Sequence, residues 1–211
     1  MPTLDREFLK DRDYLIILAR SLSQSFAAPP GYRERWSAAE ESLGELVALC
    51  ERYDPDGVTL YIASDPGNDI KQFENLTRHH LQAILSEAEI PSTFFLAPVL
   101  SRVFETYLGL KNEGKTKSNG TTILILIDSE PQDRKEVMKS LIQMTQKITS
   151  PEEIGICFVQ IGENMILQGF LQSLDDNLRS VGAEFDIVDT QILQNIQPDS
   201  LIQVLVGAVQ D

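Results

Sequence analysis

The stretch GTTILILIDSEPQD, residues 120–133, decides the fold. Its first half, TTILILI at Thr121–Ile127, is β-branched and apolar without a break, which is the composition of a strand covered on both faces. Its second half is a polar turn in which Asp128 ends the strand and Pro131 is suited to open a helix that Asp128 would cap. Four more runs of the same kind recur along the chain: DYLIILA (13–19), VTLYIAS (58–64), GICFVQIG (155–162) and FDIVDT (185–190). Helical patterns lie between and after them, at 35–53, 78–88, 97–110, 132–148, 165–181 and 199–209. Strands alternating with helices predict an α/β, Rossmann-like domain, a mostly parallel sheet with right-handed crossovers and helices on both faces.

The punctuation fits that reading. DPDG (54–57) separates a helix from a strand, NEGKTKSNG (112–120) is a polar loop, and Thr149 or Ser150 offers a cap before Pro151. AAPPGYRE (27–34) holds too many turn formers for a helix, so the first strand is expected to run into a long loop. No internal repeat and no seam between two cores is evident, and 211 residues suit one domain with a core from about 12 to 209. Ligand sites of parallel sheets form in the loops at the strands' carboxyl ends. Those loops, at 20–33, 65–77, 128–133 and around Thr93, are where function is to be sought.

Composition excludes several classes of partner. Hydrophobic residues make up 42% and charged residues 24%, enough for a full core without staples. The 32 acidic residues against 18 basic give a formal charge of −14, which opposes nucleic acid and anionic membrane and leaves a neutral or basic protein as the easier partner. The same acidity also serves solubility alone. Cys50 and Cys157 have no CxxC neighbour and lie in apolar runs, which favours buried thiols over a 50–157 bridge and suits a reducing cytoplasm. The apolar run from Tyr14 to Ala19 is too short for a signal peptide's core or a membrane span, so a cytoplasmic protein is expected.

Four segments, in order, resemble the von Willebrand factor A family. GTTILILIDSEPQD looks like that family's apolar strand followed by a TDGEP-type loop, and RDYLIILARSLS (12–23) like its first strand and metal-binding loop. QIGENMILQGFLQSLDDNL (160–178) with GAEFDIVDT (182–190) is similar to the C-terminal half of bacterial members, among them those associated with tellurium-resistance gene clusters. The resemblance implies that the 13–19 strand lies in the middle of the sheet and that a short antiparallel edge strand forms near 70–75. It also implies a protein-binding module, an adaptor or assembly factor.

The family's metal-ion-dependent adhesion site takes Asp, Ser and Ser from a DxSxS loop, a Thr from a second loop and an Asp after the next strand, a hard oxygen set suited to Mg²⁺. Here the first loop reads Ala19-Arg20-Ser21-Leu22-Ser23, with alanine in place of the leading Asp. Ser21, Ser23 and Asp128 match, Phe94 falls at the Thr position, and Thr93 serves only if the loop slips by one residue. Losing one of two carboxylates argues against a tight Mg²⁺ site, and Ser21 and Ser23 are also ordinary turn caps. A weak site on Ser21, Ser23, Thr93 and Asp128 is the alternative. Arg20, Leu22, Phe94 and Phe95, with Phe26, replace polar ligands at this edge, which suggests a metal-independent interface centred on Arg20, Ser21, Leu22, Ser23, Phe94, Phe95 and Asp128. At least one of the adjacent phenylalanines is expected to fold under as core.

Enzyme signals are poor. The chain has no GxGxxG, no GxxxxGK[ST] and no GxSxG, and its two histidines, His79 and His80, sit at a helix start where exposure or capping explains them. A hydrolase or nucleotide enzyme on this sheet is the remaining alternative from another class. Asp175-Asp176 and Glu152-Glu153 read as solvated faces, and Trp36 as part of a helix packed on the sheet.

Overall fold

The computed structural model describes residues 6–21, 32–65, 69–87, 90–193 and 201–210. Six strands form one sheet: β1 (Asp13–Ala19), β2 (Val58–Ile62), β3 (Lys71–Leu76), β4 (Thr121–Ile127), β5 (Ile154–Gln160) and β6 (Val188–Ile192), in the order β3-β2-β1-β4-β5-β6. All neighbours pair in parallel except β3, which runs antiparallel along β2. β1 is interior, paired in register with β4 from Asp13↔Thr121 to Ala19↔Ile127, and the antiparallel edge strand lies where the resemblance implied it.

The helices are α1 (Tyr32–Tyr53), α2 (Arg78–Glu87), α3 (Ala97–Asn112), α4 (Arg134–Thr145), α5 (Met165–Asn177) and α6 (Ile202–Gln210). The alternation of β4 divides the core. Ile123, Ile125 and Ile127 face the α3, α4 and α5 side with Val103, Leu141 and Phe170, while Leu124 and Leu126 face the α1, α2 and α6 side with Leu46, Leu81 and Leu205. A side chain at Gly155 would meet the carbonyl oxygen of Ala208 at 1.6 Å, so glycine there lets the α6 backbone lie directly on β5.

Several boundaries differ from the sequence expectation, among them β6 at Val188–Ile192 against 185–190 and the end of α5 at Asn177 against 181. α1 begins at Tyr32 instead of 35, because Tyr-Arg-Glu-Arg has adequate helix propensity. α4 begins at Arg134, with Asp133 at the position before it making no side-chain capping bond to it, and Asp128 stands too far upstream to cap it. Cys50 and Cys157 are buried free thiols, and burial pushes both thiols up. No helix among the described residues is long and apolar enough to cross a membrane.

Candidate functional site

At the carboxyl edge of the parallel strands the chain brings Ser21, Asp65, Thr93, Phe95 and Asp128 close together around the ends of β1, β2 and β4. Leu22, Ser23 and Phe26 lie outside the described residues. The backbone of Phe95 forms an antiparallel bridge to Ser64, its N–H donating to the Ser64 carbonyl at 3.2 Å. Thr93 turns its hydroxyl to Asp65, donating to Oδ1 at 3.1 Å.

Asp128 is the centre of the site, and protein donors fill it. The Ser21 N–H approaches Oδ1 at 3.2 Å and Oδ2 at 3.3 Å. Ser129 Oγ donates to Oδ1 at 2.8 Å, and the Trp36 indole N–H donates to Oδ2 at 3.0 Å. The hydroxyls of Ser21 and Ser129 are 2.6 Å apart. Burial raises the Asp128 carboxyl above its ordinary range, and these donors together with the nearby Arg20 cation pull it back. Arg20 stacks over the Trp36 ring at 4.7 Å and pairs with Glu40 at 3.1 Å. Its Nε is buried without a hydrogen-bond partner among the described residues.

The two positions where the family's pattern would place a ligand Asp and a ligand Thr have joined the core. Ala19 is 0% exposed and Phe94 1%, both in the apolar cluster on the α3 side. Phe94 is therefore not offered to a partner, which corrects its place in the expected interface. The loop is pinned down over it: Gln132 N–H donates to the Phe94 carbonyl at 3.1 Å, and the Asp133 carboxylate accepts from Leu96 N–H at 3.0 Å and Ala97 N–H at 2.8 Å. Phe95 stays half-buried at the rim. The expectation that one phenylalanine of the pair folds under is met by Phe94.

These residues do not fit an octahedral Mg²⁺. One carboxylate remains in the set, its lone pairs are engaged by an indole, a backbone N–H and a hydroxyl, the Thr93 hydroxyl is turned to Asp65, and a guanidinium stands beside it. Among the described residues no group of His, Cys, Asp and Glu side chains is arranged to hold a metal ion.

The other candidates lie elsewhere. His79 and His80 lie in the first turn of α2, and His79 lines the cleft between α1 and α2 that Arg20 also reaches. Both are exposed, and the His80 N–H and ring Nδ1 meet Thr77 Oγ1 at 3.4 and 3.1 Å, a capping role. Asp175 accepts from Thr190 at 2.6 Å and Asp176 is exposed. Glu153 departs from a solvated face: it accepts from Lys111 at 2.6 Å, Tyr107 at 2.8 Å and Thr149 at 2.6 Å.

Sequence reading missed Trp36, Ser129 and Asp133. A lone tryptophan read as apolar packing still carries an N–H that must find an acceptor once buried, and that was the available signal. For Asp133 the sequence offered no signal, because the helix its carboxylate caps, α3, lies far upstream in the chain.

No protein-family model matches this chain, and no curated protein matches it by sequence. Among solved structures, the VWA domain of SpRpn10 is similar over 92% of this chain and 93% of that one, at 13% identity and a TM-score of 0.55. The manganese-loaded TRAP protein of Plasmodium vivax is similar over 94% of this chain and 75% of that one, at 11% identity and a TM-score of 0.58. The chain has the von Willebrand factor A fold.

Proposed function

We propose that the chain is a non-enzymatic protein-binding module, an adaptor or assembly factor of the cytoplasm, whose carboxyl-edge loops grip a neutral or basic protein without metal. The observation that carries this reading is the internal satisfaction of Asp128, which leaves it little capacity for a cation. The fold supports an interaction role in general, since similarity at this level transfers a scaffold and not a task. Arg20 supports the location: its side chain, 15% exposed and stacked on the Trp36 ring, keeps a cation at this edge that a partner's carbonyl or carboxylate would meet. Phe95 adds a half-buried ring on the segment bridged to Ser64 after β2, and Ser21 and Asp128 add polar groups, with Leu22 and Ser23 completing the loop in sequence.

Enzymatic chemistry is opposed by the exposure of both histidines and by the capping contacts of His80 at the start of α2. The SpRpn10 and TRAP structures share the scaffold, and manganese belongs to the TRAP structure; a weak Mg²⁺ site on Ser21, Ser23, Thr93 and Asp128 is the reading to be tested against ours.

The test is affinity purification of tagged chain from its native host, with and without EDTA, followed by mass spectrometry. The proposal expects a protein partner retained in EDTA and lost from the Arg20→Ala, Phe95→Ala double variant. A partner released by EDTA, or one indifferent to both substitutions, would contradict it.

A further inference from the structure

Beyond the carboxyl edge, we infer that the groove between α4 and α5 is a second docking site, shaped for an amphipathic helix with an acidic flank supplied by another protein. The groove encloses about 750 Å³, with Met138, Ile142 and Phe170 among its apolar lining. Arg134, Lys135 and Lys139 stand along it against one carboxylate, Glu136. Arg134 lies 5.0 Å over the Phe170 ring and pairs with Glu130 at 2.6 Å, but Lys135 and Lys139 have no carboxylate partner among the described residues.

The charge is the unusual feature. The chain carries −14 overall, yet this groove presents more cations than anions. Two other clefts do not. The one between α1 and α2 sets Arg20 and Arg78 against Glu40 and Glu41, with both arginines in ion pairs, and the one at the amino end of the sheet gathers Asp13, Asp54 and Glu74. A local excess of positive charge on an acidic protein opposes the field of the whole molecule and selects an acidic partner.

The apolar surface points the same way. The exposed large hydrophobic residues among the described ones are Met165, Ile166 and Val181, at 81, 68 and 55% exposure, all on α5 or the turn that ends it. Ile166 precedes Phe170 by four residues and Ser173 by seven, so it lies on the stripe of α5 that lines the groove. Val181 lines the groove itself, and apolar lining flanked by cations is the pattern by which an amphipathic helix is received. The groove follows α4, Arg134–Thr145, for about 18 Å, the length of a helix of about 12 residues.

The test uses two fluorescein-labelled helical peptides of about 12 residues, with leucines at i, i+3, i+7 and i+10 and flanks of either glutamate or lysine. Anisotropy titrations should show the glutamate peptide binding at least about tenfold more tightly than its lysine twin, with added salt narrowing the gap. Met138→Asp should weaken the glutamate peptide by about tenfold or more, and Lys135→Glu with Lys139→Glu, both at exposed positions, should reverse the preference with folding intact. The Arg20→Ala, Phe95→Ala variant should bind it as wild type does, which separates this site from the carboxyl edge. Equal binding of the twins, no binding of either, or indifference to the lysine reversal would overturn the proposal. So would sedimentation showing a dimer that the lysine reversal dissociates, because the occupant would then be a second copy of the chain.

Discussion

At the amino end of the sheet a guanidinium is withdrawn from water, and at the carboxyl end a carboxylate is. Arg12, 1% exposed, donates to Thr122 Oγ1 at 2.7 Å, to the Asn119 carbonyl, and to the Glu152 carbonyl at 3.0 and 3.2 Å; burial pulls its pKa down to about 10. Asp128 is met instead by N–H and O–H donors. In both places fixed dipoles, and not a hydrogen-bonded counter-ion, satisfy the charge. The difference lies in what is left over. Arg12 stitches β1 and β4 to the turn before β5 and leaves nothing exposed, whereas beside the Asp128 cluster part of the Arg20 side chain reaches the surface and Phe95 stays half-buried. A closed network stabilises; one that reaches the surface can also bind.

The largest effect is expected at the closed end. Arg12→Ala leaves two carbonyls and a hydroxyl without their donor and should cost about 4 kcal/mol in urea unfolding, since each unmet buried group costs about 1–3 kcal/mol. A loss below about 1 kcal/mol would show that water replaces the guanidinium and that the two ends do not differ as described.

At the open end the adjacent phenylalanines should part company. Phe94→Ala is a core truncation expected to cost roughly 3–5 kcal/mol, while Phe95→Ala should stay within about 1 kcal/mol and affect partner binding instead. Similar melting temperatures for the two variants would break the assignment.

The Asp128 cluster is sharpened by a double-mutant cycle. Trp36→Phe and Asp128→Asn should show a coupling of about 1–2 kcal/mol, the range for a hydrogen bond to a charged group. Additive effects would remove the indole from the account.

Much of this was legible in the sequence. The unbroken apolar run of β4 implied a sheet covered on both faces, and the four resembling segments placed β1 inside it. Ala19 and Phe94 marked the altered ligand positions. What the sequence left out is tertiary: that Trp36, far along the chain, reaches Asp128, and that Asp133 caps α3 and not the helix it precedes. Capping preferences are local, and both of these contacts cross between elements. Phe94 and Phe95 are the same residue type side by side, so composition had no means of choosing which goes under; the hydrogen bonds of Gln132 and Asp133 choose.

The smallest expected effect is a pH dependence confined to the amino end. Burial and the neighbouring Asp54 carboxylate push Asp13 up to about 6 from 3.8, so its ionisation opposes folding progressively as pH rises through that window. Asp13→Asn should therefore stabilise by about 1 kcal/mol at neutral pH, after allowance for solvent screening, and not below pH 4. Glu153 works in the opposite sense. Burial raises it, but Lys111, Thr149 and Tyr107 outweigh burial and hold it at about 2 against 4.5, so its contribution fades as pH falls through that lower window. An Asp13→Asn gain that persisted at acid pH would point to packing and not to charge.

The central claim, that the carboxyl edge works without metal because Asp128 is already satisfied, is met most directly by calorimetric titration of Mn²⁺ and Mg²⁺ into the wild-type chain at neutral pH. The account predicts no saturable heat for either ion up to about millimolar concentration, the regime in which a site short of carboxylates stays empty. A saturable isotherm with micromolar affinity for either ion would contradict it.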